Sequence, residues 1–400
     1  MGMVKKPVNG MKDILPAEMK LRNYVTGVIR KTYEAYGFSQ VETPVVEHIE
    51  NLLSKQGGEN EKLIFRILKR GEKLDLSAPT TADAVSDSGL RYDLTLPLSR
   101  YYANNSASLP APFKAIQIGS VFRADRPQRG RYRQFTQCDI DILGEPSCIA
   151  EIELILATTE ALSNLGFSGF TVRINDRKIL KKAAADAGIS ENDFEKVFIL
   201  LDKADKIGTD GVKAALAELL SEETAEKYIS SIFAEDADGL MEGTDLPLIM
   251  ETVGAAKKAD FRLVFDPTLV RGMGYYTGPI FEISIDGYGG SVGGGGRYDE
   301  MIGRFTGQAT PAAGFSIGFE RIILLLQESG FKVPEDGGKV AFLTDKKLPK
   351  EKLAEVFAEA AKLREEGMSV TVSLMKKNKK FQKDLLEAEG FEDIREVYAD

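Results

Sequence analysis

The sequence predicts an α+β fold: a strand-rich core flanked by helices, interrupted by a helical insertion and followed by a small α/β unit. Three observations lead there. Residues 113–143 read as two long strands around a Pro-Gln-Arg-Gly turn, a hairpin with a charged tip. Residues 176–260 change character, with Ala, Lys, Glu and Leu dominant and glycine sparse, before strand-and-glycine composition resumes at Phe261. Beyond Gly330, a Pro-Glu-Asp-Gly-Gly stretch precedes alternating strand and helix patterns. At 400 residues the chain exceeds the ~250–300 at which one hydrophobic core stops growing, so two or three domains are expected.

In chain order, Pro16 and Glu18 start a helix in which Leu21, Val25, Val28, Ile29, Thr32, Tyr33 and Tyr36 recur at three-to-four spacing until Gly37 stops it. Phe38–Glu47 reads as a strand broken at Pro44, whose missing N–H confines it to an edge, an end or an interface. Residues 63–75 and 90–102 read as strands or strand–helix pairs. Pro110 and Pro112 lead into the strand Phe113–Arg123, and Arg131–Leu143 returns. Glu151–Leu165 is helical in period and Phe170–Ile174 is a short strand. Inside the insertion, helical periodicity covers Lys181–Ala187, Asp193–Asp202 and Val212–Leu219. Strands follow at Phe281–Asp286, Ser291–Gly296 and Ala312–Gly318, the last running into a helix from Phe319. The terminal unit reads strand 339–344, helix 350–366, strand 368–374, helix 378–389 and a final strand.

Composition narrows the chemistry. Cys138 and Cys148 are too few for a disulfide framework or a four-thiolate metal site, and the one histidine, His48, has no second imidazole for a triad or a metal pair. His48 is expected to be structural, and the protein reduced, cytoplasmic and free of zinc. No apolar run reaches the ~20 residues a bilayer demands, and Met1–Pro16 carries Lys5, Lys6 and Lys12 but no apolar export region. A net charge of −9 argues against a general nucleic-acid coat, yet five arginines and no lysine fall within 123–133. The acidic runs 221–226 and 359–366 read as solvated helix faces.

Period-two alternation places Arg131, Arg133, Phe135, Gln137, Asp139 and Asp141 on one face of the second hairpin strand. A solvated outer face would explain so polar a surface. A ligand-facing sheet explains it better, because arginines near the turn and an amide and carboxylates farther in suit an anionic ligand with an amine-bearing part. The segment Arg271-Gly-Met-Gly-Tyr-Tyr-Thr-Gly278 is either a turn with a stacked cation or part of the same site. Gly293–Gly296, ahead of Arg297-Tyr298-Asp299, marks a bulge, a hairpin loop or a close approach of backbone to a ligand or another backbone. It lacks the Gly-Lys-Ser/Thr ending of a P-loop and the helix-opening context of a dinucleotide fingerprint. Arg321 lies in the first turn of the helix after Gly314–Gly318, where a cation opposes the macrodipole unless it shares that end with an anionic ligand; a surface arginine beside a carboxylate is the plain alternative.

Taken in order, these stretches resemble class II aminoacyl-tRNA synthetases: the first helix with Thr43-Pro44 is similar to motif 1, the Phe122-Arg123 hairpin to motif 2 and Gly314–Arg321 to motif 3. Within the class, Arg271–Tyr276 with Gly293–Asp299 resembles the histidine-specific motifs of the histidyl-tRNA synthetase family, and Arg91-Tyr-Asp-Leu-Thr-Leu-Pro97 resembles that family's substrate loop. The resemblance runs from residue 8 to 330 and implies a six-stranded antiparallel sheet that holds bent ATP with Mg²⁺. It implies joining of L-histidine to the 3′ end of the histidine tRNA through histidyl-adenylate. Carried over by position, Arg123 would hold the α-phosphate and carboxylate side of the transition state, and Arg131 and Arg321 the nucleotide's phosphates. Asp93, Thr95, Gln137 and Asp141 would hold the histidine amino group and main portion, and Tyr275 and Tyr276 its imidazole. Arg271 would stand in for the divalent ion that other class members use beside the α-phosphate. A homodimer formed through motif 1, with Pro44 at its interface, is implied as well.

On this reading, 1–175 and 261–330 are two parts of one catalytic core, 176–260 a helical insertion and 331–338 a linker. Residues 339–400 resemble the family's anticodon-binding α/β domain without its last strand and helix, which puts anticodon recognition in question. Gly274 stands where many members carry an aspartate. One alternative is a catalytically inactive, synthetase-like regulatory subunit of ATP phosphoribosyltransferase; such paralogues tend to lose the motif 2 and motif 3 arginines, whereas Arg123, Arg131, Arg271 and Arg321 are all present here. A regulator that binds uncharged tRNA through a degenerate synthetase domain is the third reading.

Overall fold

Pro16 opens helix α1 (Pro16–Ala35), where its missing N–H is one that a first turn leaves unpaired anyway, and Gly37, at φ 81°, ends it. The computed structural model describes residues 2–53, 60–77, 81–128, 130–234, 237–271, 275–334 and 337–399, with only the backbone at positions 60 and 205. Gly272–Gly274, Arg129 and the Glu335-Asp336 pair of the expected linker lie outside the described residues. The chain divides into two units, Met1–Asp13 with Arg22–Ser329 and Ile14–Leu21 with Gly330–Asp400.

After α1 come β1 (Ser39–Gln40), β2 (Val46–His48), α2 (Ile49–Leu52), β3 (Arg66–Leu68), α3 (Ala82–Val85), β4 (Ser86–Leu90), α4 (Thr95–Asn105) and β5 (Phe113–Phe122). The single strand expected over Phe38–Glu47 is thus two strands in different sheets. β1 runs parallel to β5, while β2 joins a small antiparallel sheet ordered β2-β4-β3. Pro44 offers no N–H between them, and the Thr43 carbonyl accepts from the Arg91 guanidinium at 2.7 Å instead of from a strand.

β6 (Gln134–Leu143) pairs antiparallel with β5 from Phe113↔Leu143 to Phe122↔Gln134, which is the expected hairpin, although its second strand begins three residues later than the pattern suggested. The backbone N–H of Arg133 goes to Gly10 O while its carbonyl still accepts from Arg123 N–H, and the N–H of Arg131 goes to Gln128 O within the turn, so both arginines lie beyond the regular strand. The Arg133 side chain turns to Asp125 O (3.1 Å) and Asn9 O (3.3 Å).

α5 (Ile149–Asn164) packs on β6 and leads to β7 (Phe170–Asp176). The stretch expected to be an insertion follows as α6 (Arg177–Asp186), α7 (Phe194–Leu201), α8 (Ala204–Leu219), α9 (Glu222–Ile232) and α10 (Leu246–Ala256). α8 is kinked at Gly208, φ 70°. The acidic run 221–226 is the start of α9, where the Ser221 hydroxyl accepts from Thr224 N–H and Glu222 and Glu223 favour the positive end of the helix. Leu180, Phe198, Leu201, Leu216 and Tyr228 form a core of the insertion's own, joined by Val270 from outside it.

β8 (Phe261–Phe265), β9 (Pro279–Ser284), β10 (Ser291–Arg297), α11 (Asp299–Thr306), β11 (Ala312–Ile317) and α12 (Phe319–Glu328) complete the first unit. Its main sheet has the order β1-β5-β6-β11-β10-β9-β7-β8. The six inner strands are antiparallel, as the resemblance implied, but a parallel strand at each edge makes eight. The edge pair β7/β8 is parallel because the helical insertion supplies the long crossover that parallel neighbours require.

The second unit contains β12 (Lys339–Thr344), α13 (Lys350–Glu365), β13 (Ser369–Leu374), α14 (Lys379–Ala388) and β14 (Asp393–Val397). Its parallel sheet, ordered β13-β12-β14, packs around Val340, Phe342, Val356 and Ala360.

Candidate active site

Cross-strand register builds the floor of the site. Asp139 on β6 stands opposite Ser316 on β11, Ser316 opposite Gly294 on β10, and Gly294 opposite Glu282 on β9. Two residues along each strand, and so on the same face, Asp141, Gly314 and Gly296 form a second row. The glycines strip side chains from the middle of the face and leave a trough. Its occupants include parts of the protein itself: a Cβ on Gly314 would collide with Asp141 Oδ1, one on Gly294 with Arg271 Nη1, and one on Gly296 would come 3.0 Å from the Tyr276 ring. Gly295 would drive a Cβ into the Gly314 carbonyl. The glycine run is therefore a strand, with a register shift between Ser291 and Gly293, whose bareness admits neighbouring backbone and Arg271.

Walls rise from three other segments. At the start of α4, Asp93 accepts from Leu96 N–H at 3.0 Å, and Thr95 Oγ1 lies 3.5 Å from the Tyr275 hydroxyl. The Tyr275 and Tyr276 ring centroids are 4.4 Å apart, and Tyr298, 5.8 Å from Tyr275, donates its hydroxyl to Asp141 Oδ1 at 2.6 Å. These groups enclose, with Arg123, Gln137, Asp139 and Arg271, a cavity of about 380 Å³. A second cavity of about 210 Å³ is lined by Arg123, Arg131, Phe135, Arg271 and Arg321, so Arg123 and Arg271 belong to both.

The arginines are held in place. Arg123 Nε donates to Tyr92 O at 3.0 Å, and its guanidinium lies 4.2 Å from the Tyr92 ring centroid and 5.2 Å from that of Phe135. Arg271 Nε donates to Glu282 Oε2 at 2.6 Å and Nη2 to Ser291 Oγ at 3.2 Å, while Glu282 also receives Arg173. Arg321 donates to the Ser291 carbonyl, and Arg131, at the exposed turn, lies 4.0 Å from Asp125.

Asp93, Asp139 and Asp141 make no salt bridge among the described residues. Burial raises the pKa of Asp93, pushes Asp141 up to about 7 against the hydrogen bond from Tyr298, and, helped by the charge of Asp141, lifts Asp139 well above the carboxylate range. Burial also pushes Tyr276 up to about 12 and Tyr275 well above its usual value. Gln137 Oε1 and Asp141 Oδ2 are buried without a hydrogen-bond partner. Acceptors in such a state favour a ligand that brings N–H donors and positive charge.

Of the residues singled out from sequence, Asp93, Thr95, Arg123, Gln137, Asp141, Arg271, Tyr275 and Tyr276 line the first cavity, and Arg131 and Arg321 the second. His48 is exposed and lines neither. Sequence reasoning missed Glu282, included Tyr298 and Ser316 in the quoted motifs without giving them a role, and placed Asp139 on the correct face without selecting it. Period two carried the signal for Asp139; Glu282 had none, because its bond to Arg271 joins a strand to a loop. Among the described residues no group of three or more His, Cys, Asp or Glu is placed to hold a metal ion.

A family model described as histidyl-tRNA synthetase matches residues 10–322. The chain belongs to the histidyl-tRNA synthetase family. Within that family it is similar to the histidine–tRNA ligase of Leifsonia xyli subsp. xyli, at 44% identity over 98% of this chain and 95% of that protein. The histidine–tRNA ligase of Christiangramia forsetii is 38% identical over 82% of this chain and 78% of its own. The crystal structure of histidyl-tRNA synthetase from Nostoc sp. PCC 7120 matches with a TM-score of 0.78 at 27% identity, covering 98% of this chain and 90% of that one. A Bacillus halodurans C structure, described as an ATP phosphoribosyltransferase regulatory subunit/histidyl-tRNA synthetase, gives 0.78 over the full length of both chains, but at 21% identity this is a likeness of fold alone.

Proposed function

We propose that the chain activates L-histidine with ATP to histidyl-adenylate and pyrophosphate, then transfers the histidyl group to the 3′ end of the histidine tRNA. The observation that carries this reading is the meeting of two unlike cavities at Arg123 and Arg271: one rich in buried carboxyls and tyrosines, the other in arginines. In the first, Asp93, Thr95, Gln137 and Asp141 receive the amino group and main portion of histidine, with Tyr275 and Tyr276 against the imidazole. In the second, Arg131 and Arg321 hold the phosphates of ATP. A carboxylate oxygen of histidine then attacks the α-phosphorus; the new O–P bond forms as the bond to the bridging oxygen breaks, and pyrophosphate leaves with the electron pair. Arg123 and Arg271 neutralise the charge that develops at the junction, so the protein supplies positioning and electrostatics and needs no nucleophile of its own. In the second step a 3′-terminal ribose hydroxyl attacks the carbonyl carbon, AMP departs and the hydroxyl proton passes to solvent.

Mg²⁺ would enter this scheme with ATP and would supply further neutralisation of the phosphate charge. Arg271 takes the place of a second cation beside the α-phosphate. The reading also assigns 1–175 and 261–330 to the catalytic core, 176–260 to an insertion, 331–338 to a linker and 339–400 to an anticodon-binding-like domain. It places the protein in the cytoplasm as a homodimer: Val45 and Val46, exposed beside Pro44, are the apolar surface for the second copy, and no described helix is long and apolar enough to cross a membrane. A regulatory subunit without catalysis has no use for four arginines around a phosphate-sized cavity. Histidine-dependent ATP–pyrophosphate exchange is the test: exchange that rises with histidine is expected, and none at saturating histidine would overturn the activity.

A further inference from the structure

We propose that Asp139 is a positioning residue for the amino acid: held by Ser316, it receives the Gln137 amide nitrogen and so turns the Gln137 carbonyl oxygen toward the substrate's ammonium group. The inference rests on reading the first cavity as the histidine site.

A glutamine side chain offers an acceptor on one end and two donors on the other, and it can present either to a ligand. Only the acceptor suits an ammonium. In this structure Gln137 Nε2 donates to Asp139 Oδ2 at 3.3 Å, and Oε1, buried and unpartnered, is left for the ligand. Asp139 cannot swing away. Its other oxygen is engaged by the Ser316 hydroxyl, and Ser316 stands directly opposite it in the β6/β11 register. On the other side, Gln117 faces Asp139 from β5, but its amide nitrogen donates to Leu94 O at 2.9 Å and its carbonyl oxygen accepts from the Thr43 hydroxyl.

The arrangement tolerates a proton on Asp139. Burial and the neighbouring charges of Asp141 and Asp93 favour the neutral acid, with the Ser316 hydrogen bond and Arg123 opposing them. A neutral acid keeps a carbonyl oxygen that accepts from Gln137 and gains an O–H that can donate to Ser316. Asparagine presents the same pair, one acceptor and one donor, in the same shape, whereas alanine presents neither. The device is therefore one of hydrogen-bond direction and not of charge.

Steady-state exchange kinetics with Asp139→Ala, Asp139→Asn, Ser316→Ala, Gln137→Ala and the Gln137→Ala/Asp139→Ala double variant test this. Asp139→Ala is expected to raise KM for histidine about tenfold or more, the scale of one hydrogen bond to a charged group, with KM for ATP within twofold. Asp139→Asn should stay within threefold of wild type. The double variant should be no worse than Gln137→Ala, because Asp139 acts through that side chain. An unchanged KM in Asp139→Ala, equal damage from Asn and Ala, or multiplying effects in the double variant would overturn the proposal. Should Asp139→Ala fail to fold, Ser316→Ala carries the test, with a severalfold rise in KM expected and no rise overturning it. Wild-type protein that shows no histidine-dependent exchange would overturn the activity itself, a separate outcome.

Discussion

Asp141 carries a carboxyl that the fold would rather keep neutral. Tyr298 donates to one oxygen and the other is buried without a partner, while Asp93 and Asp139 face it from α4 and from its own strand. Its pKa rises from 3.8 to about 7, so between those values the folded protein binds more protons than the unfolded chain. Stability from this group is thus lost as pH rises through that interval and changes no further above it. The ligand-free wild type is expected to lose ~1–3 kcal/mol relative to Asp141→Asn between pH 5 and 7. Urea denaturation at a series of pH values measures this, and parallel profiles for the two proteins would refute it. On the proposed reading the same desolvation gives a bound ammonium its hold, since a substrate cation would supply the compensation that these buried carboxyls lack.

Along a single strand, neighbouring glycines have opposite duties. A Cβ on Gly294 meets chiefly the flexible end of Arg271, which can be displaced, and comes only to 3.0 Å from the Phe281 carbonyl, whereas a Cβ on Gly295 is driven into the Gly314 carbonyl and against the Phe315 backbone, which cannot move aside. Gly294→Ala is therefore expected to leave the melting temperature within a few degrees of wild type and to cut exchange toward the level of Arg271→Ala, itself at least ~100-fold down. Gly295→Ala should cost ~1–3 kcal/mol or more in stability. Thermal melts paired with exchange rates separate the two, and a melting temperature equally low in both would contradict the assignment. The hairpin of β5 and β6 was legible in advance because its turn, alternation and length are local. What Gly293–Gly296 makes room for was not, since Arg271, Gly314 and Tyr276 reach it only through the assembled sheet. Phe38–Glu47 misled for a related reason: its apolar and polar spacing does not reveal that the chain changes sheets at Thr43, where Arg91 takes the carbonyl.

Across the whole molecule, the order of its parts could be read from composition: strands, then an Ala- and Lys-rich helical stretch, then glycine-rich strands, then alternating strands and helices. The edge strands were harder to see. β1 is two residues long, and β8 pairs in parallel with β7 from the far side of the insertion, a relation no local period encodes. Nor could spacing show that Val270, one residue before Arg271, is buried in one hydrophobic cluster with Leu216 and Phe198 of the helices between β7 and β8. Val270 thereby anchors the backbone next to Arg271 in that helical bundle. Val270→Ala should slow exchange several-fold with KM for histidine close to wild type, and an unaltered kcat would show the tether to be idle. If that variant proves slow, whatever tightens or loosens those helices, including a molecule that leans on their outer surface, would act as a throttle on the cation without entering either cavity.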